Sequence, residues 1–333
     1  MQYYIKRIVP ILISACSVIL ISACIRENTI GCPQPVKVKL KYSYNILDVN
    51  IFDKKTDRAV LHIFNEEGLL IMHREIEGGI DEISIPPLKS GKYHFIAHAR
   101  NSKVIDEQAD LKIPELTDGV SKIEEFTAYL KRSNNEVQDK KLNDFLIGYT
   151  ISDIVTNIEK RVEVSLKSVI KRVHIALLST NKGEVLEPDR YNFKIIDNTG
   201  NGHIRYDYTQ LPDKAITYKP YNKATSFLDN PMEGEVSIAV IAKINTARLI
   251  EQNLPHLIIT DNLSKLEVVN VNLTWLLSLT NMENNNGRWG LQEYLDRQDN
   301  YSITLLIDSA TGLWSKNTIV INGWVINMKE IDL

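Results

Sequence analysis

The chain has 333 residues, with 39 Lys and Arg against 42 Asp and Glu, a formal charge of −3 and an apolar fraction of 44%. That balance, with no clustered basic face, excludes the electrostatic footprint that nucleic-acid binding needs. Three cysteines are too few for a disulfide framework or a cysteine-based zinc site, and the length accommodates two domains of ordinary size.

In chain order, Lys6 and Arg7 precede an apolar run over 8–21, which ends in Ile21-Ser22-Ala23-Cys24. This is a secretory signal pattern. Its ending resembles a lipobox, which predicts cleavage before Cys24 and lipid attachment to that thiol. An ordinary cleaved signal is the alternative, although Ile21 is bulky where such a site wants a small residue. Ile13-Ser14-Ala15-Cys16 repeats the tetrapeptide, but only about eight apolar residues precede Cys16. A spanning helix is disfavoured, because the run falls short of ~20 residues and Arg26 and Glu27 follow at once. Removing residues 1–23 takes away two cations and no acid, so the charge moves from −3 to −5. With Cys24 acylated, Cys32 has no partner in the mature chain.

The tether 24–35 contains Gly31, Pro33 and Pro35. Beyond it Val36, Val38, Leu40, Tyr42 and Tyr44 alternate with Lys37, Lys39, Lys41 and Ser43, the period of a strand with one buried face. Residues 59–64 and 69–76 flank Asn65-Glu66-Glu67-Gly68 and read as a hairpin. Residues 80–85, closed by Pro86-Pro87, and 93–99 add strands. Short strands at this spacing predict an antiparallel sandwich. The stretch 102–144 reads as loops with one short helix near 123–132. A domain boundary is expected between 147 and 160, dividing the chain into an N-terminal domain, 36–150, and a C-terminal domain, 158–333. In the second, 162–166, 172–178, 191–196, 236–244, 254–260 and 266–276 read as strands. Residues 290–298 read as one short helix with Trp289, Tyr294 and Leu295 on its packed face. Strands over 301–307 and 318–328 finish the chain.

Candidate chemistry is sparse. His94 and His98 stand four apart, as in a helical zinc motif, but Phe95 replaces the glutamate, and a strand pattern puts both imidazoles on one face. Asp197-Asn198-Thr199-Gly200-Asn201-Gly202 opens like a calcium loop, yet Tyr208 occupies the twelfth position, and a hairpin turn between 191–196 and 203–208 is the better reading. Glu293, Asp296 and Asp299 read as a solvated or locally paired face. No nucleophile elbow or phosphate loop is present in the sequence. The expectation is a binding protein, with no catalytic residues, metal or cofactor. The run 318–328 is apolar on both sides, with Ile319, Ile321 and Val325 on one face and Val320, Trp324, Ile326 and Met328 on the other. It is either a central strand of its own domain or a subunit-contact strand, in which Ile319, Ile321, Trp324 and Ile326 are the candidate contacts.

A family resemblance gathers these features. Cys24 followed by Gly31-Cys32-Pro33, the 63–68 hairpin and Ser90-Gly91-Lys92-Tyr93-His94-Phe95 cover the first half. Tyr191-Asn192-Phe193-Lys194-Ile195, Tyr206-Asp207 and Ile216-Thr217-Tyr218-Lys219-Pro220-Tyr221 continue it, and Gln292-Glu293-Tyr294-Leu295-Asp296-Arg297-Gln298-Asp299 before Ile319-Val320-Ile321-Asn322-Gly323-Trp324 is the specific signal. In these residues the chain resembles FimB-like fimbrial anchor lipoproteins of Bacteroides-type bacteria. The resemblance implies a mainly β fold of two tandem transthyretin-like or immunoglobulin-like sandwich domains. It also implies a lipid anchor in the outer membrane through Cys24, and fimbrial shaft or accessory subunits as partners. His98 departs from the family, standing where an aromatic residue such as tryptophan is expected. The alternative is a surface adhesin or glycan-binding lipoprotein that uses Trp275, Trp289 or Trp314.

Overall fold

The computed structural model describes residues 32–78, 80–101, 111–132, 136–229, 236–285, 288–308, 310–314 and 318–327; Cys24 and Met328 lie outside them. The first half forms β1 (Val36–Lys41), a helical turn α1 (Phe52–Lys55), β2 (Arg58–Phe64), β3 (Leu70–Glu77), β4 (Glu82–Ile85), β5 (Gly91–Arg100), β6 (Leu111–Lys112), β7 (Thr127–Leu130), β8 (Val137–Gln138), β9 (Phe145–Ile154) and β10 (Lys160–Ser168). The second forms β11 (Lys171–Ser179), β12 (Tyr191–Asp197), β13 (His203–Arg205), β14 (Ile216–Tyr218), β15 (Asn222–Asp229), β16 (Val236–Thr246), β17 (His256–Asp261) and β18 (Glu267–Asn272). Helices α2 (Leu273–Asn285) and α3 (Leu291–Arg297) follow, then β19 (Asn300–Asp308), β20 (Leu313–Trp314), β21 (Thr318–Ile321) and β22 (Trp324–Asn327).

The protein is mainly β, in several sheets. The first has the order β3-β2-β5-β9-β10-β1-β4, the second β15-β16-β11-β19-β21-β22 with β20 beside β19, the third β18-β17-β12-β14-β8 and the smallest β13-β7-β6. The alternation at the start of the first sheet behaves as its period requires, with Val36, Val38 and Leu40 buried and the lysines between them half-exposed. The expected β2–β3 hairpin forms, and the Asn65 side chain closes its loop by accepting from the Leu69 N–H at 2.8 Å. Strands from both ends of the first sheet's path contribute to one hydrophobic cluster, which holds Val38, Leu40, Leu61, Phe95 and Val164. A second cluster lies between the second and third sheets. It extends across to Phe64, Ile96, Phe126 and Phe145 of the first half, so a single core runs through the seam.

Several local expectations are corrected. The stretch expected to hold the boundary is the end of β9 and its turn into β10, and these two strands pair with β5 and β1 in the first sheet. Gly148 permits this, since a Cβ there would collide with the Ser165 carbonyl of β10. Strand 160–168 thus completes the first sheet, and the crossing to the second half falls at Val169-Ile170. Residues 123–132 hold a short 3-10 turn, Ile123–Glu125, and then β7. The 191–208 hairpin does not form: β13 pairs with β7 of the first half, and β12 pairs with β14 and β17. The strand reading of 266–276 ends at Asn272, where α2 begins, so the second half carries two helices. Finally, 318–328 is not one strand; β21 and β22 are antiparallel partners around Asn322-Gly323.

Candidate functional site

Helix α3 and the residues after it sit in the seam and tie both halves together. Its packed face is the expected one, with Trp289, Tyr294 and Leu295 buried. The carboxylates differ from expectation: Asp296 and Asp299 are buried at 4% and 7% exposure, and only Glu293 remains partly solvated. Arg248 grips Asp296 through two bonds of 2.7 Å, and Gln292 adds a third from the next turn of the helix at 3.0 Å. Burial lowers the Arg248 pKa, but the bond to Asp296 outweighs it and holds the guanidinium above its ordinary value.

Asp299 is the point where three segments meet. The Tyr42 hydroxyl donates to it at 2.6 Å, Lys55 of α1 at 3.2 Å, and the fully buried Lys171 ammonium of β11 lies 3.6 Å away while donating to the Asp296 carbonyl at 2.7 Å. Burial pushes the Asp299 carboxyl up, but Lys171, Lys55 and the Tyr42 hydroxyl outweigh it and hold it below the ordinary carboxylate range. On the outer side, Arg297 bonds Glu293 and reaches Asp48 and the Asn45 carbonyl of the first half, with its guanidinium 4.2 Å from the Tyr44 ring centre. Arg288 bonds Asp48 as well, at 2.6 Å.

The same helix reaches the C-terminal hairpin. The Tyr294 hydroxyl meets Thr280 of α2 at 2.8 Å and accepts from the Asn322 side chain at 3.4 Å. Asn322 is further clamped to β19, accepting from the Ser302 N–H and donating its own N–H to the Ser302 carbonyl. A continuous bonded path therefore runs from Asp48 and Tyr42, through α3, to the turn between β21 and β22.

Of the candidate contacts, Ile319 and Ile321 are fully buried in the core of their own half. Trp324 and Ile326 lie on β22, in register with Ile321 and Ile319. Among the described residues β22 has one hydrogen-bonded neighbour, β21, so its other edge is open. The opposite edge is β15, where Phe227 is 76% exposed, a feature that sequence reading missed. His94 and His98 are strand residues on one sheet face. His98 stacks on Phe145 and His62, giving the ring contact that the aromatic expected there would make. Asp197 accepts from the Thr199 and Gly200 N–H groups and from Asn253, which commits its oxygens to the turn. Of the tryptophans proposed for glycan contact, Trp289 is buried, and Trp275 and Trp314 pack partly buried against the core. Cys32 is a free, exposed thiol.

Among the described residues no three His, Cys, Asp or Glu side chains gather to hold a metal, and no helix is long and apolar enough to cross a membrane. Sheets with open edges, joined through a buried polar seam, define a β-rich protein whose outer strands are free to pair. Within that class the chain belongs to the fimbrillin-associated anchor family: the profile of the fimbrillin-A associated anchor proteins Mfa1 and Mfa2 matches residues 28–328. Among solved structures, a candidate polysaccharide-binding protein of Bacteroides thetaiotaomicron is 27% identical, with a TM-score of 0.73 over 89% of this chain and 99% of that one. A candidate adhesin from the same organism is 22% identical, with a TM-score of 0.75 over 89% and 98% of the two chains. The fimbrial anchor protein Mfa2 of Porphyromonas gingivalis shares the fold at 17% identity, with a TM-score of 0.62 over 89% and 99%. No curated protein is matched.

Proposed function

We propose that this chain anchors a fimbria to the outer membrane, held by lipid on Cys24 and contacting fimbrial subunits by strand complementation. Its two halves act as tandem β-sandwich domains that divide near Val169. The observation that carries this reading is membership of the fimbrillin-associated anchor family over residues 28–328. The open edge of β22 supports the contact mode, because an unpaired strand edge offers main-chain donors and acceptors to an incoming strand. The bonded path from the first half to the β21–β22 turn gives such a contact a rigid route toward the tether. A surface location follows from this role.

Two measurements test it. Cys24→Ala is expected to leave the membrane fraction and take its fibres into the medium; an unchanged membrane-bound fibre would defeat the anchor reading. A photo-crosslinking residue in place of Val325, on the open strand, is expected to capture a shaft or accessory subunit in intact cells. Capture only from β15, through a probe at Phe227, would move the contact to the opposite edge.

A second reading, a surface adhesin that holds a glycan, is favoured by one observation. The relative that shares 27% of its residues over 99% of its own length is described as a candidate polysaccharide-binding protein. Binding of the purified protein to a glycan array without any fimbrial partner tests that reading.

A further inference from the structure

A cleft of about 380 Å³ opens at the seam, lined among others by Lys167, Tyr208, Thr209, Gln210, Arg248 and Gln252. Its charges are unequally matched. Of the charged groups in the lining, Arg248 is neutralised by Asp296 and the Asp207 carboxylate by Arg205 outside it. Lys167 has no carboxylate partner among the described residues. Its ammonium rests 4.6 Å from the centre of the Tyr44 ring and 5.1 Å from that of Tyr208, and burial draws its pKa down against the pull of Asp296. An ammonium held between two rings, half out of water and short of a counter-ion, favours an incoming anion. Gln210 lines the cleft without a free group, since its side-chain oxygen is sealed from solvent and its amide nitrogen donates to the Gly200 and Leu211 carbonyls. The exposed Thr209 and Gln252 side chains stand on the rim.

The set discriminates among anions. Phosphate and sulfate are met by paired guanidinium forks or nests of N–H groups, whereas here a single ammonium stands free beside hydroxyl and amide groups. A peptide terminus calls for an apolar pocket beside its carboxylate, and Ile250 is the one aliphatic side chain in this lining. A carboxylate carried on a polyhydroxylated ring uses all of the free groups. The cleft lies near the lower end of the ~300–1,000 Å³ typical of ligand sites, enough for one or two sugar rings.

We propose that this cleft binds a uronic-acid residue of an acidic glycan, with its carboxylate on Lys167 and its hydroxyls on Thr209 and Gln252. The site rests on its own geometry and is independent of the anchor role; it gives the glycan-binding reading a place and a ligand class. The test titrates the purified full-length protein with digalacturonate and a hyaluronan tetrasaccharide, against neutral galactobiose and sodium acetate. At least one uronate is expected to bind, with galactobiose and acetate each weaker by about tenfold or more. Lys167→Met, which keeps the apolar stem, is expected to lose about tenfold in uronate affinity with an unchanged melting temperature. Should that variant melt early, Gln252→Ala on the exposed rim supplies the second measurement, with a loss of about threefold expected. Undiminished uronate binding in the folded variants overturns this site while leaving glycan binding elsewhere on the protein. Acetate binding as tightly as a uronate overturns the sugar contacts. Silence toward both uronates overturns the site, and a silent glycan array beside it overturns the glycan reading too.

Discussion

Asp299 carries a charge into the core of the seam, and its worth depends on company. Asp299→Asn leaves the Lys171 ammonium buried without its counter-ion, which is expected to cost about 3 kcal/mol and to appear as a lower melting temperature. Adding Lys171→Met removes the pair as a unit and is expected to restore most of that loss; a double variant no better than the single one sinks this account. Because the folded pKa of Asp299 lies below its ordinary 3.8, the stabilisation it carries is present above that pH and is lost as pH falls through the folded value. The histidines act in a higher window. Burial, reinforced by His73, lowers His62 to about 4, and burial, reinforced by His62 and Arg100, lowers His98 to about 3; Asp118 opposes the shift at His62. The unfolded chain therefore binds more protons below the ordinary value of 6.5, and stability falls as pH drops from there toward 4. Urea unfolding at pH 7 and pH 5 checks this, with His62→Phe expected to narrow the gap between them by roughly 2 kcal/mol. An unchanged gap would mean that folding leaves the His62 pKa where it is in the unfolded chain. Little of this was visible in sequence, where three acids on a short helix look solvated or locally paired, as Glu293 is with Arg297, and most of the histidines stand singly. Burial of a polar group depends on what the rest of the chain lays over it.

At the scale of elements, the legible features were those with a clean local period. The alternation of β1, the Asn65–Gly68 loop and the packed face of α3 each follow from side-chain spacing. The hidden features were those whose signal was masked by apolar neighbours. Asn322-Gly323 is a strong hairpin signal, and both residues have positive φ, 52° and 84°. The run on either side is apolar at nearly every position, so no change of phase marked the turn. Asn272 was a similar loss. Its side chain accepts from the Trp275 N–H at 2.9 Å and caps α2, while Leu273, Leu276 and Leu277 fall at helical spacing inside what reads equally well as a buried strand. The hairpin turn can be tested directly. Gly323→Val forces a β-branched residue into the left-handed region, at an expected cost of about 1–3 kcal/mol. On the proposed function it also weakens recovery of the anchor with sheared fimbriae. Normal recovery from a measurably destabilised protein would separate this turn from subunit capture.

The whole molecule is joined more tightly than two domains on a string. β1 pairs in parallel with β10 across more than a hundred residues, β7 pairs with β13, and β8 pairs with β14. These contacts leave no local trace, because parallel and long-range pairing is fixed by what the chain brings together and not by the period within either strand. That is why the stretch between 147 and 160 looked like a boundary although it is only the end of β9 and its turn into β10. The consequence is a sharp difference between two truncations. A fragment of residues 32–157 lacks β10, exposing the buried faces of β1 and β9 along Val38, Leu40 and Leu146, and is expected to aggregate. A fragment of residues 32–169 keeps the first sheet whole and is expected to be soluble and folded. It should still melt below the intact protein, since Phe64, Ile96, Phe126 and Phe145 lose the second half of their shared core and β7 and β8 lose their partners. Calorimetry of the intact chain is expected to give one transition with equal calorimetric and van't Hoff enthalpies, because unfolding either half exposes that core. Two well-separated transitions would mean that the seam does not couple the halves, and a 32–157 fragment as stable as 32–169 would mean that β10 is dispensable to the first sheet.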